Sequence, residues 1–212
     1  MRANFYKDQW DIKKVERYSL FFSQAQSTIK GFYILIDALK ILKNKYPNVK
    51  VYVAGNNIID KSFVSSLKRQ SYSKFLMKQI TKYNLENNIE FTGYLDAESY
   101  KNALLKSHIY VQTSSIENSS NSLGEAMILG MPCVASNVGG TNDMLMDGKE
   151  GFLFQYTEPE LLAYYIEQFL EDENLCIEKG MMARKHALAR HNWDENAEQT
   201  LKIYKDMMKR GN

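Results

Sequence analysis

The chain has 212 residues, of which 44% are hydrophobic and 25% charged, and its formal net charge is +2. This length suffices for one sizeable globular domain with a buried core. The near balance of charge argues against a dedicated nucleic-acid-binding protein, and no apolar run is long enough to span a bilayer.

The two cysteines, Cys133 and Cys176, fit neither a disulfide framework nor a zinc-ligand pattern. No signal-peptide pattern opens the sequence. We therefore expect a cytoplasmic, reducing location.

The first half of the chain alternates strand and helix patterns. Residues 1–17 are charged and aromatic without a clear period, so we expect a leader or interdomain segment before a domain at 18–212. Residues 58–70 fit either a helix or an irregular excursion. Strands are predicted at Tyr18–Ser23, Val49–Ala54 and Ile89–Thr92. Helices are predicted from Lys30-Gly31 up to Pro47-Asn48, at Tyr72–Tyr83 and at Ala97–Lys106.

The second half continues the alternation and then becomes helical. Strands are predicted at Ile109–Gln112, Cys133–Ala135 and Phe152–Phe154, and helices at Ser122–Leu129, Glu158–Leu170, Cys176–Arg190 and Asp194–Lys209. This order predicts an α/β domain. We expect a Rossmann-like parallel sheet of about six strands with helices on both faces, followed by C-terminal helices.

The segment from Gln112 to Gly140 carries the clearest chemical pattern. It places two carboxylates, Glu117 and Glu125, on a strand–loop–helix unit that Gly130-Met131-Pro132 ends. In open parallel sheets, ligands bind beyond the carboxyl ends of the strands, where such loops lie. The N–H groups at the start of the helix suit an anionic ligand at the same place.

The ordered string in this segment resembles the donor-binding motif of retaining glycosyltransferases of the GT-B type, in the family-four or group 1 class. The matching residues are Glu117, Glu125-Ala126-Met127, Gly130-Met131-Pro132 and Val138-Gly139-Gly140. The local sequence ENSSNSLGEAM is most similar to that of family members that build capsule or other bacterial surface polysaccharides. The resemblance implies the donor-binding half of a GT-B enzyme, without the N-terminal acceptor domain.

The resemblance implies a role for each glutamate. Glu125 would bind the ribose hydroxyls of the nucleotide, and Glu117 would lie beside the donor sugar and its anomeric carbon. The residues alone leave alternatives open. Ser122 to Glu125 also reads as a capping box with Glu125 at its third helical position, and Glu117 also reads as a solvated loop acid.

The resemblance makes Lys30 the cation for the diphosphate and, with Glu117, a catalytic residue. The family usually has an arginine five positions before this lysine, where the present chain has Ala25. Neutral hydrogen bonds from Gln24 and Gln26 are expected to compensate in part. The remaining donor-binding positions implied are Gly93, Tyr94, Asn118, Ser119, Ser120, Asn121, Ser122 and Leu123.

The implied function is hexosyl or N-acetylhexosaminyl transfer from a nucleoside-diphosphate sugar, with UDP favoured over GDP. The acceptor would be a glycan or lipid-linked glycan held by the missing domain, with peripheral membrane association of the full enzyme. We expect no cofactor, no metal, no nucleic-acid partner, and little activity from this chain alone. The alternatives are a sugar-nucleotide epimerase of the same architecture and a non-catalytic nucleotide- or glycan-binding module. A dinucleotide oxidoreductase is disfavoured because no G-x-G-x-x-G follows the first strand.

Overall fold

A single parallel sheet organises the chain. The structure is a computed structural model that describes residues 1–58 and 71–210. Within these ranges six strands pair in the order β3-β2-β1-β4-β5-β6, every pair parallel. The strands are β1 Glu16–Phe22, β2 Lys50–Ala54, β3 Ile89–Gly93, β4 Ser107–Gln112, β5 Cys133–Ser136 and β6 Phe152–Phe154. The predicted α/β fold class is confirmed.

Helices connect the strands and follow the last one. The described α-helices are α1 Phe32–Leu42, α2 Ser71–Lys82, α3 Ala97–Lys106, α4 Asn121–Leu129, α5 Thr141–Met144, α6 Pro159–Glu171, α7 Glu173–Arg190 and α8 Trp193–Arg210. The short α5 was not predicted, since four residues carry no helical period. Apart from Ile58, the ambiguous segment at 58–70 lies outside the described residues.

Neighbouring side chains on β1 show why helices cover both faces of the sheet. Successive residues of a strand point to opposite faces. The Phe21 ring meets Tyr100 of α3, and the Phe22 ring meets Phe32 of α1, each at 5.1 Å between ring centroids. The last four residues of β1 are therefore all buried, as expected for a strand in a doubly covered parallel sheet.

The segment before β1 packs against the face that carries α3 and α4. Phe5 is fully buried and Trp10 is 5% exposed. The Trp10 indole N–H donates to the carbonyl of Ser107, and its backbone N–H donates to the carbonyl of Leu129, both at 2.8 Å. These contacts fix the path of the first ten residues across the domain and thereby the position of Arg2.

The last helix, α8, differs from the other long helices in its exposure to solvent. Its described side chains, from Trp193 to Lys209, are all exposed to solvent. Among the described residues, no helix combines the length and apolar character needed to cross a membrane.

Candidate functional site

The strand order creates a crevice between the carboxyl ends of β1 and β4. From β1 the chain runs outward to β2 and β3, and from β4 it runs the other way to β5 and β6. At such a topological switch point the two following loops diverge and leave room for a ligand. The loop at 23–31 follows β1, and the loop at 113–120 follows β4. Half of the predicted site residues lie on these two loops, among them Lys30 and Glu117.

The two loops are held together by direct hydrogen bonds. The backbone N–H of Ser115 donates to the carbonyl of Ile29 at 2.8 Å. The Thr113 hydroxyl lies 3.0 Å from the carbonyl oxygen of Lys30 and 2.7 Å from that of Gly31. Gly31 has φ +67°, and a Cβ added there would lie 1.9 Å from the Thr113 carbonyl oxygen. Only glycine therefore allows the loops to approach this closely.

The predicted Gly139-Gly140 pair supports the loop that carries Glu117. An added Cβ on Gly139 would lie 2.0 Å from the Glu117 carbonyl oxygen, and one on Gly140 would lie 1.9 Å from that of Asn118. The Gly140 N–H donates to the Glu117 carbonyl at 3.0 Å. The close backbone approach expected at these glycines is thus made to the protein's own loop.

The crevice brings Lys30 and Glu117 into contact, although 87 positions separate them in the sequence. The Lys30 ammonium donates to Glu117 Oε2 at 2.7 Å, and the Ser114 hydroxyl donates to the same oxygen at 3.0 Å. The two side chains are 27% and 13% exposed, so the pair is only partly in water. The hydrogen bonds that reach Glu117 from side chains within residues 1–58 and 71–210 both go to Oε2 and not to Oε1.

Glu125 lies on α4, but the capping box predicted for it does not form. The helix cap is Ser120, whose hydroxyl accepts from the N–H of Leu123 at 3.3 Å. Helix α4 therefore begins one residue before the predicted start at Ser122, and Glu125 lies five positions after the cap instead of three.

The Glu125 carboxylate instead pairs with Arg2, which sequence reasoning missed. Nε of Arg2 donates to Oε1 and Nη2 donates to Oε2, both at 2.6 Å. The Glu125 side chain is 4% exposed and that of Arg2 is 39% exposed. A buried carboxylate needs such a partner, since an unpaired charge in the protein interior is strongly unfavourable. Arg2 lies in an aperiodic segment, and no local pattern in the sequence pointed to it.

Aromatic rings hold the Arg2 guanidinium in place. Its carbon lies 4.6 Å from the ring centroid of Phe5 and 4.9 Å from that of Tyr100. Burial raises the pKa of the Tyr100 phenol to about 12, so this residue stays neutral. Within the described part of the chain, the buried Tyr100 hydroxyl has no hydrogen-bond partner.

The other predicted donor-binding residues fall into two groups. Ser120 and Leu123 are buried and belong to the start of α4, whereas the side chains of Asn118, Ser119 and Asn121 are exposed and that of Ser122 is half-buried. Gln24 is exposed on the loop after β1, and its neighbour Ala25 is 1% exposed. The position where the resembled family has an arginine is therefore packed into the core.

Gly93 and Tyr94 lie at the end of β3, two strands away from the crevice centre. Gly93 has φ +76° and its carbonyl accepts from the Gly55 N–H at 2.9 Å. Among the described residues, nothing lies within 4 Å of a Cβ added at either glycine, and Tyr94 is 78% exposed. The backbone at this edge of the sheet thus lies beside an exposed aromatic ring.

Other surface features are less suited to a polar ligand. A groove of about 620 Å³ lies between the first residues and the junction of α7 and α8, lined by Met1, Tyr6, His191 and Trp193 among others. It holds no carboxylate–cation pair, so we place the candidate site at the strand ends. No cluster of three His, Cys, Asp or Glu side chains able to hold a metal ion occurs among the described residues.

The strand order and the acidic strand–loop–helix unit at its switch point define a Rossmann-like domain of the kind that forms half of a GT-B glycosyltransferase. A model of the family "Glycosyl transferases group 1" matches residues 3–200. The chain therefore belongs to this family and has the fold of its C-terminal domain.

Curated relatives agree with this assignment. The chain is 25% identical over 179 residues to a D-inositol 3-phosphate glycosyltransferase of Corynebacterium urealyticum, covering 84% of this chain and 41% of that protein. It is 24% identical over 189 residues to a phosphatidyl-myo-inositol mannosyltransferase of Mycobacterium tuberculosis, covering 87% and 46%. The chain thus spans less than half the length of these relatives.

Solved structures share the fold. HepE of Anabaena in complex with UDP-glucose has a TM-score of 0.75 and 27% identity, over 90% of this chain and 49% of that one. TarM of S. aureus has a TM-score of 0.74 and 23% identity, over 92% and 38%. A group 1 C-terminal domain, LpcC of Francisella tularensis, aligns over 90% of this chain and 93% of its own, with a TM-score of 0.68 and 20% identity.

Proposed function

We propose that this chain is the donor-binding domain of a retaining glycosyltransferase that uses a nucleoside-diphosphate sugar, with UDP favoured over GDP. The observation that carries the proposal is the pair formed by the Lys30 ammonium and Glu117 Oε2, which lie 2.7 Å apart. The two residues come from loops that are far apart in the sequence and meet at the switch point of the sheet. The presence of UDP-glucose in the structure of HepE, which shares 27% identity and the fold, supports the choice of ligand.

Glu125 binds the ribose in this proposal. A carboxylate accepts hydrogen bonds from both hydroxyls of a vicinal diol. Each Glu125 oxygen already accepts one bond from Arg2 and retains further acceptor capacity. The bidentate pair fixes the carboxylate plane, so little rotamer freedom is lost when a ribose binds. The base then extends toward the edge at Gly93 and Tyr94.

Lys30 neutralises the diphosphate. Its ammonium has three donors, and one of them is used by Glu117. The N–H groups at the start of α4 add a partial positive charge on the other side of the crevice. As the bond between the sugar and the diphosphate breaks, its electron pair leaves with the diphosphate, and these donors stabilise the charge that develops there.

Glu117 faces the sugar. One of its oxygens is occupied by Lys30 and Ser114, which leaves Oε1 to contact sugar hydroxyls or the anomeric region. A negative charge there stabilises positive charge that develops at the anomeric carbon. The acceptor oxygen then bonds to that carbon on the face that the diphosphate leaves, and its proton passes to an oxygen of the departing diphosphate.

The acceptor belongs to a part of the enzyme outside this chain. The matched relatives are more than twice as long as the aligned region, with 41% and 46% of their length covered. We propose a cytoplasmic enzyme, at the inner face of the membrane when its acceptor is lipid-linked. The product is a bacterial surface polysaccharide of capsule or O-antigen type, as the ENSSNSLGEAM wording suggests, and the transferred unit is a hexose or an N-acetylhexosamine.

The test begins with thermal unfolding in the presence of UDP, GDP, UDP-glucose, UDP-N-acetylglucosamine and GDP-mannose. A ligand at 100 times its Kd stabilises a protein by about 2.7 kcal/mol, so the preferred donor should raise the midpoint most. Glu117→Gln should keep the response to UDP but lose the distinction between UDP and UDP-sugars. If none of these nucleotides shifts the midpoint, the donor-binding proposal is wrong.

A transfer assay tests the half-enzyme part of the proposal. Positioning two reactants supplies roughly 7–11 kcal/mol of a barrier, and a domain that holds the donor alone lacks this contribution. Residues 1–212 incubated with donor and candidate acceptors should therefore give no more product than a protein-free control. Robust glycosylated product from this chain would refute the half-enzyme assignment.

A further inference from the structure

The residues implied by the family resemblance leave the crevice with the wrong charge for a diphosphate. Two carboxylates, Glu117 and Glu125, stand against one cation, Lys30. The position that would supply a second cation is Ala25, which is buried in the core. A crevice with one negative charge in excess repels an anionic ligand, so another cation is needed.

Arg2 has the geometry of such a cation. Its guanidinium carries five N–H donors, and the two bonds to Glu125 use only Nε–H and one hydrogen of Nη2. Three N–H groups remain, and 39% of the side chain is exposed. The rings of Phe5 and Tyr100 and the bidentate pair hold the group still, so it is organised before any ligand arrives.

The location of Arg2 places these free donors beside the first turn of α4. Glu125 lies five residues after the cap Ser120, about 7.5 Å along the helix axis, and helical side chains lean back toward the N-terminus. Tyr100, which contacts the guanidinium, is close enough to Ser122 on that turn for Ser122 to influence the pKa of its phenol. Its hydroxyl is buried and has no hydrogen-bond partner among the described residues. The free donors of the guanidinium therefore lie beside the free N–H groups at the start of the helix, where an anionic ligand is favoured.

We propose that Arg2 is a donor-binding residue that supplies the second cation for the diphosphate, in place of the arginine that Ala25 replaces. This inference rests on the proposed function, since it assumes a diphosphate in the crevice. With Arg2 included, two carboxylates face two cations, and the incoming diphosphate meets a neutral crevice. Lys30 lies on the loop after β1, and Arg2 lies on the segment before β1. The phosphates therefore lie between these two side chains, at the start of α4.

If Arg2 served only as the structural partner of Glu125, its removal would change the affinity for nucleotide in the opposite direction. If Arg2 only shielded Glu125, a nucleotide would have to displace it, and removing the guanidinium would tighten binding. If Arg2 binds phosphate, removing it weakens binding of every ligand with a diphosphate. The sign of the change in affinity therefore decides between the two roles.

The experiment measures the affinity of UDP and of inorganic pyrophosphate by calorimetry for the wild-type chain, Arg2→Gln and Arg2→Lys. Losing a charge-assisted hydrogen bond should weaken both ligands about 10- to 100-fold in Arg2→Gln. Arg2→Lys keeps the charge and should lose less. The matched control is Arg17→Gln, because Arg17 is 34% exposed and also pairs with a glutamate, Glu173, but lies near the amino end of β1. This control should leave both affinities unchanged.

Each outcome has one interpretation. Unchanged or tighter binding in Arg2→Gln overturns the inference and leaves the proposed function standing. Binding of pyrophosphate that depends on Arg2, without binding of any nucleotide, supports the anion site but refutes the proposed donor. If Arg2→Gln fails to fold because Glu125 is left unpaired, Arg2→Lys decides: it should bind both ligands more weakly than the wild type because the free guanidinium N–H donors are lost, and unchanged affinity for both ligands would overturn the inference.

Discussion

The close contact at Gly31 gives a prediction that tests how the crevice is built. Gly31 and Gly148 share almost the same backbone conformation, with φ +67° and +68°. An added Cβ on Gly31 would lie 1.9 Å from the Thr113 carbonyl oxygen, whereas one on Gly148 would meet no described atom within 4 Å. Alanine at either position therefore carries the same backbone strain, and only Gly31→Ala also forces the two loops apart.

The magnitudes follow from these two contributions. A left-handed conformation costs an alanine about 1–2 kcal/mol, which is the whole effect expected for Gly148→Ala. Overpacking adds about 1–3 kcal/mol, so Gly31→Ala should lower the free energy of unfolding by roughly 2–5 kcal/mol. Because the Thr113 loop also carries Glu117, Gly31→Ala should weaken UDP binding and Gly148→Ala should not. Urea unfolding with UDP calorimetry measures both effects. Equal losses of stability in the two variants would refute the loop-contact explanation.

Two further predictions concern charge. Lys30→Gln should weaken UDP binding more than uridine monophosphate binding, with a difference that shrinks at high salt, while Lys45→Gln, which removes a surface pair with Glu167, should change neither. Equal losses for both nucleotides would point to a fold defect. Burial lowers the pKa of His108 to about 4, below its unfolded value near 6.5. Its neutral form therefore stabilises the fold above pH 6.5, and up to about 3 kcal/mol is lost as the pH falls toward 4. His108→Gln should flatten this part of the stability curve, and an unchanged slope would contradict the assignment.

The architecture and the loops that carry Lys30 and Glu117 could be predicted from local patterns. Alternating strand and helix periods fix a parallel sheet, and a parallel sheet brings the ends of its strands to one edge. Lys30 and Glu117 follow β1 and β4, which proved to be neighbours, so their contact follows from topology. The glycines at positions 31, 139 and 140 also indicate which loops lie close together, because each allows the backbone of one loop to approach that of another.

The surroundings of Glu125 could not be predicted because they depend on distant packing. The Arg2–Glu125 pair joins residues 123 positions apart. Arg2 reaches the crevice because Phe5 and Trp10 are buried against the sheet, and the sequence of residues 1–17 has no period that would reveal this. The cap was misplaced for a related reason. Ser120 and Ser122 are both good caps, and tertiary contacts of the preceding loop decide between them.

The central claim is that Glu125 belongs to a nucleotide site at the switch point of the sheet. Calorimetric titration of UDP into the wild-type chain, Glu125→Ala and Glu173→Ala tests it most directly. The control removes a glutamate that also pairs with an arginine, Arg17, but lies outside the crevice. Loss of a charged hydrogen bond, worth about 1.5–3 kcal/mol, predicts a 10- to 100-fold weaker Kd in Glu125→Ala and no change in Glu173→Ala. Wild-type affinity in a folded Glu125→Ala protein would contradict the claim and leave Glu125 as a structural partner of Arg2.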